Sequence, residues 1–214
     1  MALLPEKTRQ DVRKALGELP ALVTLTLFTR DHGCPTCGDL AELMAEMAEI
    51  HPRIRSRVLD LDRDAAEAGV LGIEDAPAIA VTGARDFGIR FYGTPGGFEF
   101  ASFLDAIRSV SSGVSELPAP LRKKLEKLAG PVRIRVFVTP TCPYCPQAVE
   151  TANAIALAAS GVRAEMVEAM EFAELSDRFN VRGVPRIVLN DRDAYEGAIP
   201  APRFVDAVLR AAAA

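Results

Sequence analysis

Apolar and polar positions fall into two series along this chain, and the second restates the first. Behind a short charged stretch carrying Leu16 and Leu19, the residues Val23, Leu25 and Leu27 alternate with Thr24 and Thr26. That period of two predicts a strand with unlike faces. Leu40, Leu43, Met44, Met47 and Ile50 then recur at helical spacing, which predicts a helix laying one stripe on a core. Val58 to Leu61 predicts a second strand, followed by a short helix. Ile79–Val81 and Ile89–Tyr92, joined across the polar turn Gly83-Ala84-Arg85-Asp86, predict a hairpin. A terminal helix around Phe103-Leu104-Asp105-Ala106-Ile107 closes the series.

In the second series Leu125 and Leu128 lead into Val132, Ile134, Val136 and Val138, which alternate with Arg133 and Arg135. Val149, Ala152, Ile155 and Ala156 stripe an Ala-rich helix, and Ala164–Val167 predicts the next strand. Ile187–Leu189 and Ala194–Glu196 form the hairpin pattern around Asn190-Asp191-Arg192-Asp193, and Phe204-Val205-Asp206-Ala207-Val208 matches the closing helix. Both series read β-α-β-α-β-β-α. The stretch from Ser111-Ser112-Gly113 to Pro118-Ala119-Pro120 has the composition of a linker. The expected organisation is α/β, with tandem units over 1–115 and 116–214. Each is a central mixed sheet flanked by helices and is long enough to have a core of its own.

The four cysteines form two pairs at the same place in each series, Cys34-Pro35-Thr36-Cys37 and Cys142-Pro143-Tyr144-Cys145, 108 residues apart. The same step carries Pro77 onto Pro185, each just before an apolar run. Two C-x-x-C pairs suit a dithiol redox couple, a four-cysteine zinc site, structural disulfides or plain core cysteines. A shared zinc site fits poorly with each pair opening an amphipathic helix inside its own repeat. A bridge across three residues constrains little unfolded chain, which counts against a structural disulfide. Only a thiolate attacks a disulfide, and a helix N-terminus favours the thiolate. Cys34 and Cys142 are therefore the expected nucleophiles, with Cys37 and Cys145 one turn on to resolve a mixed disulfide. Pro35 and Pro143 read as first-turn residues, whereas Pro146 falls deeper, where some irregularity is expected.

A strand, a C-x-x-C opening a helix and a proline before the third strand resemble the thioredoxin superfamily. Cys-Pro-Tyr-Cys resembles the glutaredoxin motif, and two such units resemble the tandem glutaredoxin-like protein disulfide oxidoreductases over nearly the whole chain. The resemblance implies thiol–disulfide exchange that forms, reduces or isomerises protein disulfides. It also implies cis peptide bonds at Pro77 and Pro185, beside the sulfurs, with Ala76 and Val184 offering backbone groups to a bound substrate chain. Pro35, Thr36, Pro143 and Tyr144 support the motif, and the second site is expected to be the more active. Where glutaredoxins often carry Thr after Val-Pro, this chain has Ala78 and Arg186, and its second half lacks the Gly-Gly pair. Both features argue against dependence on glutathione. The absence of Trp, with Gly33 and Thr141 ahead of the first cysteines, fits the glutaredoxin-like side better than thioredoxin itself.

Charge and composition narrow the rest. A net charge of −4 without a basic cluster argues against nucleic acid or a membrane surface as partner. No apolar stretch approaches a membrane span, and the polar start gives no secretory signal, so a cytoplasmic protein is expected. No Gly-rich dinucleotide or phosphate loop opens a helix, so no cofactor is expected beyond the cysteines. Gly93-Thr94-Pro95-Gly96-Gly97 reads as a turn only. Electrons would come from a thioredoxin-reductase-like flavoprotein or a small thiol, and protein disulfides and dithiols would be the substrates. The alternatives are a dedicated electron carrier to a peroxidase and, from another class, a non-catalytic zinc or peptide-binding module. His32 reads as an exposed loop residue and His51 as a helix cap. Asp60 and its repeat-equivalent Glu168 read as surface carboxylates, with proton transfer to a buried cysteine as the alternative.

Overall fold

The computed structural model describes residues 3–213. Eight strands form one sheet in the order β2-β1-β3-β4-β6-β5-β7-β8. They are β1 (Val23–Thr29), β2 (Ile54–Asp60), β3 (Ala78–Thr82), β4 (Ile89–Tyr92), β5 (Val132–Val138), β6 (Val162–Glu168), β7 (Arg186–Leu189) and β8 (Asp193–Glu196). In the first repeat β2 lies parallel to β1, and β3 and β4 run antiparallel beyond it. The second repeat has the same order, with β6 parallel to β5 and the β7–β8 hairpin on the other side. Two strands extend upstream of their apolar patterns, to Ile54 and Val162. Backbone pairing to β1 and β5 carries the edge residues Arg55 and Arg57 and the half-buried Arg163, which no hydrophobic periodicity marks.

The repeats join through β4 and β6, which pair in parallel from Ile89↔Ala164 to Tyr92↔Val167. Helices α1 (Glu6–Leu16), α2 (Cys37–Ile50), α4 (Glu99–Ser112), α5 (Ala119–Leu125), α6 (Cys145–Ala158) and α8 (Ala201–Ala213) cover one face of the sheet. The short helices α3 (Ala65–Leu71) and α7 (Ala173–Arg178) cover the other. The core therefore divides by face and not by repeat, which corrects the expectation of one core per unit. Val23, Leu25 and Leu27 share a single cluster with Val132, Ile134, Val136 and Val138, whereas Phe28, Tyr92, Phe137 and Val167 belong to the cluster on the opposite face. The cause is the β4–β6 pairing, which makes the two inner faces continuous, with α4 lying against α6 above them.

That opposite face also holds the polar partners of the strand alternation. Arg135 and Glu165 are buried together, with Arg135 Nε donating to Glu165 at 3.0 Å, and Arg133 and Arg163 reach the other carboxylate oxygen. Across the junction Arg90, facing Glu165 in register, is buried and paired with Asp86. Among the described residues no helix is long and apolar enough to cross a membrane.

Candidate active site

Each cysteine pair lies just past the strand that leads its repeat, β1 or β5. Cys34 is disulfide-bonded to Cys37 and Cys142 to Cys145, with Cα atoms 5.4 and 5.5 Å apart. Helices α2 and α6 start at the second cysteine of each pair, with Thr36 and Tyr144 at the N-cap. This corrects the expectation that the first cysteine opens the helix. Cys37 N–H donates to the Cys34 carbonyl at 3.3 Å, so Cys34 to Cys37 is a tight turn placed ahead of α2. Pro35 and Pro143 set that turn and stand outside the helix. Pro146, expected to be deep enough to disturb α6, falls in its first turn instead, where no N–H is required and the helix runs on unbroken.

The two sites differ in exposure and in their rims. Cys34 is half-buried and Cys37 buried; Cys142 is 8% exposed and Cys145 fully enclosed. The Ala76–Pro77 and Val184–Pro185 bonds are both cis. Pro77 and Pro185 are buried, while Ala76 and Val184 stay half-buried at the surface. The Cys142 sulfur lies 3.7 Å from the Val184 carbonyl oxygen, so the proline loop reaches the second site directly.

Around the first site stands a collar of charge. Arg30 bonds Asp75 at 3.0 Å and lies 3.7 Å from Asp62, Arg63 pairs with Asp31, and Asp75 also accepts the Ala76 N–H at 2.9 Å. The repeat-equivalent positions of Arg30, Asp62 and Asp75 are Val138, Met170 and Gly183, so the second site has no such collar. Its neighbours are apolar instead: Tyr144 is 70% and Phe98 52% exposed. Phe98 N–H donates to the Pro140 carbonyl at 3.0 Å, just ahead of Cys142. Gly97, at φ 57°, presses so closely on that carbonyl that a β-carbon would collide with it. The glycine-rich segment expected to be only a turn is therefore what seats the first repeat against the second site.

His32 is exposed. His51 follows α2 at its C-cap, and its Nδ1 accepts the Arg53 N–H at 3.1 Å. Asp60 accepts the N–H groups of Asp62 and Arg63, which with nearby arginines hold its carboxyl below the ordinary range. Glu168 departs from the surface reading, because it is buried. Its repeat-equivalent lies on the edge strand β2, whereas β6 is enclosed between β4 and β5. Glu168 Oε2 accepts the Met170 and Glu171 N–H groups at 3.1 and 2.6 Å, and burial still pushes the carboxyl up.

Two further carboxylates carried no sequence signal. Glu171 accepts the Thr36 hydroxyl at 2.7 Å and the Thr94 N–H at 2.7 Å, which joins the first cysteine turn to the second repeat across 135 residues. Glu99, at the start of α4, is buried with neither carboxylate oxygen paired, and burial raises it to about 7. A Glu in a first helical turn ordinarily reads as a complement to the dipole, so nothing in the pattern set this one apart. Among the described residues no group of three or more His, Cys, Asp or Glu side chains is placed to hold a metal ion.

Residues 132–210 match the thioredoxin domain family. The chain is 28% identical over 161 residues to the alkyl hydroperoxide reductase flavoprotein relative AhpF of Staphylococcus epidermidis, covering 75% of this chain and 29% of that relative. It thus spans under a third of the length of the curated relatives it matches. Among solved structures it resembles a protein disulfide oxidoreductase from Aeropyrum pernix at 29% identity and a TM-score of 0.90, over 98% of this chain and 94% of that one. An N-terminal domain of the alkylhydroperoxide reductase component AhpF from Enterococcus faecalis matches at 29% identity and a TM-score of 0.86, over 96% and 99%.

Proposed function

The chain belongs to the thioredoxin superfamily, and from that premise we propose that it is a thiol–disulfide oxidoreductase working through two dithiol/disulfide sites. The observation that carries this reading is the repeated geometry: a disulfide in a turn before a helix start, with a buried proline loop beside it, built twice in one sheet. In the reductive direction the thiolate of Cys34 or Cys142 attacks a substrate disulfide. One substrate sulfur leaves as a thiolate and a mixed disulfide forms. Cys37 or Cys145 then attacks the bonded cysteine, releases the second substrate sulfur and leaves the site oxidised. Run backwards, the same steps place a disulfide in a substrate. The half-buried Ala76 and Val184 are positioned to pair with an extended substrate backbone, and Val184 does so within reach of the Cys142 sulfur.

A second reading has its own support. The likeness to the AhpF component of alkyl hydroperoxide reductase favours an electron carrier that takes electrons from a flavoprotein and passes them to a peroxidase. Unlike substrates would suit unlike rims, with the charged collar meeting a hydrophilic partner domain and the Phe98–Tyr144 rim meeting apolar chain. The cytoplasm is the proposed location.

The test is the reduction potential of each site in thiol redox buffers, read in Cys34→Ser/Cys37→Ser and Cys142→Ser/Cys145→Ser double variants. Potentials near about −270 mV would mark an electron carrier, and values at or above about −180 mV a disulfide-forming or shuffling enzyme. Failure of both pairs to cycle overturns the proposal.

A further inference from the structure

The link between the repeats at Glu171 bears on chemistry as well as packing. Glu171 follows β6 in a turn that Glu168 fixes from below by accepting its N–H and that of Met170. Glu168 faces Val138 in register, at the end of the strand leading to Cys142. Its own β-carbon lies against Gly93, where a side chain on the glycine would collide with it. The Glu171 carboxylate is therefore held by buried structure of the second repeat, although the side chain itself is exposed.

From there it accepts the hydroxyl of Thr36, the residue between the first-site cysteines and the N-cap of α2. Thr36 makes no capping bond to its own helix, because its hydroxyl is turned to Glu171. A full negative charge thus sits at the positive end of α2, the same end that would stabilise a Cys34 thiolate. Both bonds to Glu171 come from neutral donors, a hydroxyl and a backbone amide. By contrast Asp31, Asp62 and Asp75 beside the first site are each matched by Arg63 or Arg30. The other ionisable groups nearby are His32 before Cys34 and Asp39 in the first turn of α2.

We propose that Glu171 is a positioning residue through which the second repeat disfavours the Cys34 thiolate and makes the first site more reducing. This deepens the reading of the chain as a dithiol exchanger and rests on it. In the step concerned an external dithiol is oxidised to its disulfide. The Cys34–Cys37 bond takes the two electrons and breaks to a Cys34 thiolate and a Cys37 thiol, and one proton goes to solvent. A carboxylate beside the helix end opposes the charge that this step creates. Destabilising the reduced form drives the equilibrium toward the disulfide.

The experiment uses the full chain with Cys142→Ser/Cys145→Ser, so that every reading belongs to the first site, and compares Glu171→Gln with Glu174→Gln. Glu174 is exposed on α7, so its variant removes the same charge elsewhere on the second repeat. Two quantities are read: the midpoint of Cys34 alkylation by iodoacetamide against pH, and the equilibrium with dithiothreitol. Glu171→Gln is expected to lower the midpoint by about half a pH unit and to favour the dithiol about threefold where Cys34 is ionised. Glu174→Gln is expected to move neither. An unchanged midpoint in Glu171→Gln, or an equal shift in both variants, overturns the proposal. Alkylation reads Cys34 even in a site that does not exchange, so a dead exchange assay alone strikes the functional reading and leaves this one decided by the midpoint.

Discussion

A single buried carboxyl shows how much one side chain costs when its partners are missing. Glu99 is 1% exposed, neither oxygen finds a donor of adequate geometry, and the carboxylate of Glu150 adds repulsion to the desolvation that lifts it to about 7. In the unfolded chain the same group titrates at an ordinary carboxyl value, so the native state holds its proton more tightly. Its stabilising share is fully present below the unfolded midpoint and is lost as pH rises through about 7. Glu99→Gln keeps the shape and removes the charge. It is expected to match the parent in urea unfolding at pH 4 and to exceed it by on the order of 3 kcal/mol at pH 8. Equal stabilities at both pH values would show that Glu99 is not buried in this way. Glu150 and Asp105, both pushed up mainly by burial, lie near the same α4–α6 contact and add to the same trend.

At the scale of elements, the join between β4 and β6 rests on a polar arrangement. Glu165, 1% exposed, meets the guanidinium groups of Arg133, Arg135 and Arg163 at 3.4, 3.0 and 3.0 Å. Glu74 and Asp191 attach to the outer side of the same arginines. Removing the central anion leaves cations facing one another in a dry site. Glu165→Ala is expected to cost about 3–5 kcal/mol in equilibrium denaturation. A loss under about 1 kcal/mol would mean that water or the outer carboxylates already compensate these arginines. This junction also marks how far the sequence could be read. Strands, helices and the cysteine and proline positions were legible because they depend on neighbours within a few residues, through side-chain period or a two-residue motif. The burial of Glu165 and Glu168 was not legible, because it arises from a strand pairing between repeats that no periodicity encodes. The Glu171–Thr36 bond joins residues 135 apart and was hidden for the same reason. The helix starts were misread by one turn because Pro35 and Pro143 suit a tight turn as well as a first helical turn.

For the whole molecule, the decisive feature is that the sequence repeats while the core does not. The inner cluster runs from Val12 through Phe91 and Ile134 to Val208, and Phe98, Glu171 and the β4–β6 pairing tie the repeats at backbone and side-chain level. Such a chain has few places at which one half can open while the other stays intact, since separation would leave β4 and β6 as unpaired edges. It is expected to unfold in one transition by fluorescence, far-ultraviolet circular dichroism and denaturant gradient alike, with a slope suited to the full length of the chain and not to half of it. Residues 116–214 expressed alone would present β6 as a bare edge carrying Ala164 and Met166, buried at 1% each in the full chain, and are expected to associate or to unfold at much lower denaturant. Two separated transitions, or a monomeric and equally stable second half, would show that the repeats are independent units that merely touch. The redox consequence would then follow, because without a shared sheet the potential of the first site would no longer depend on a carboxylate held by the second.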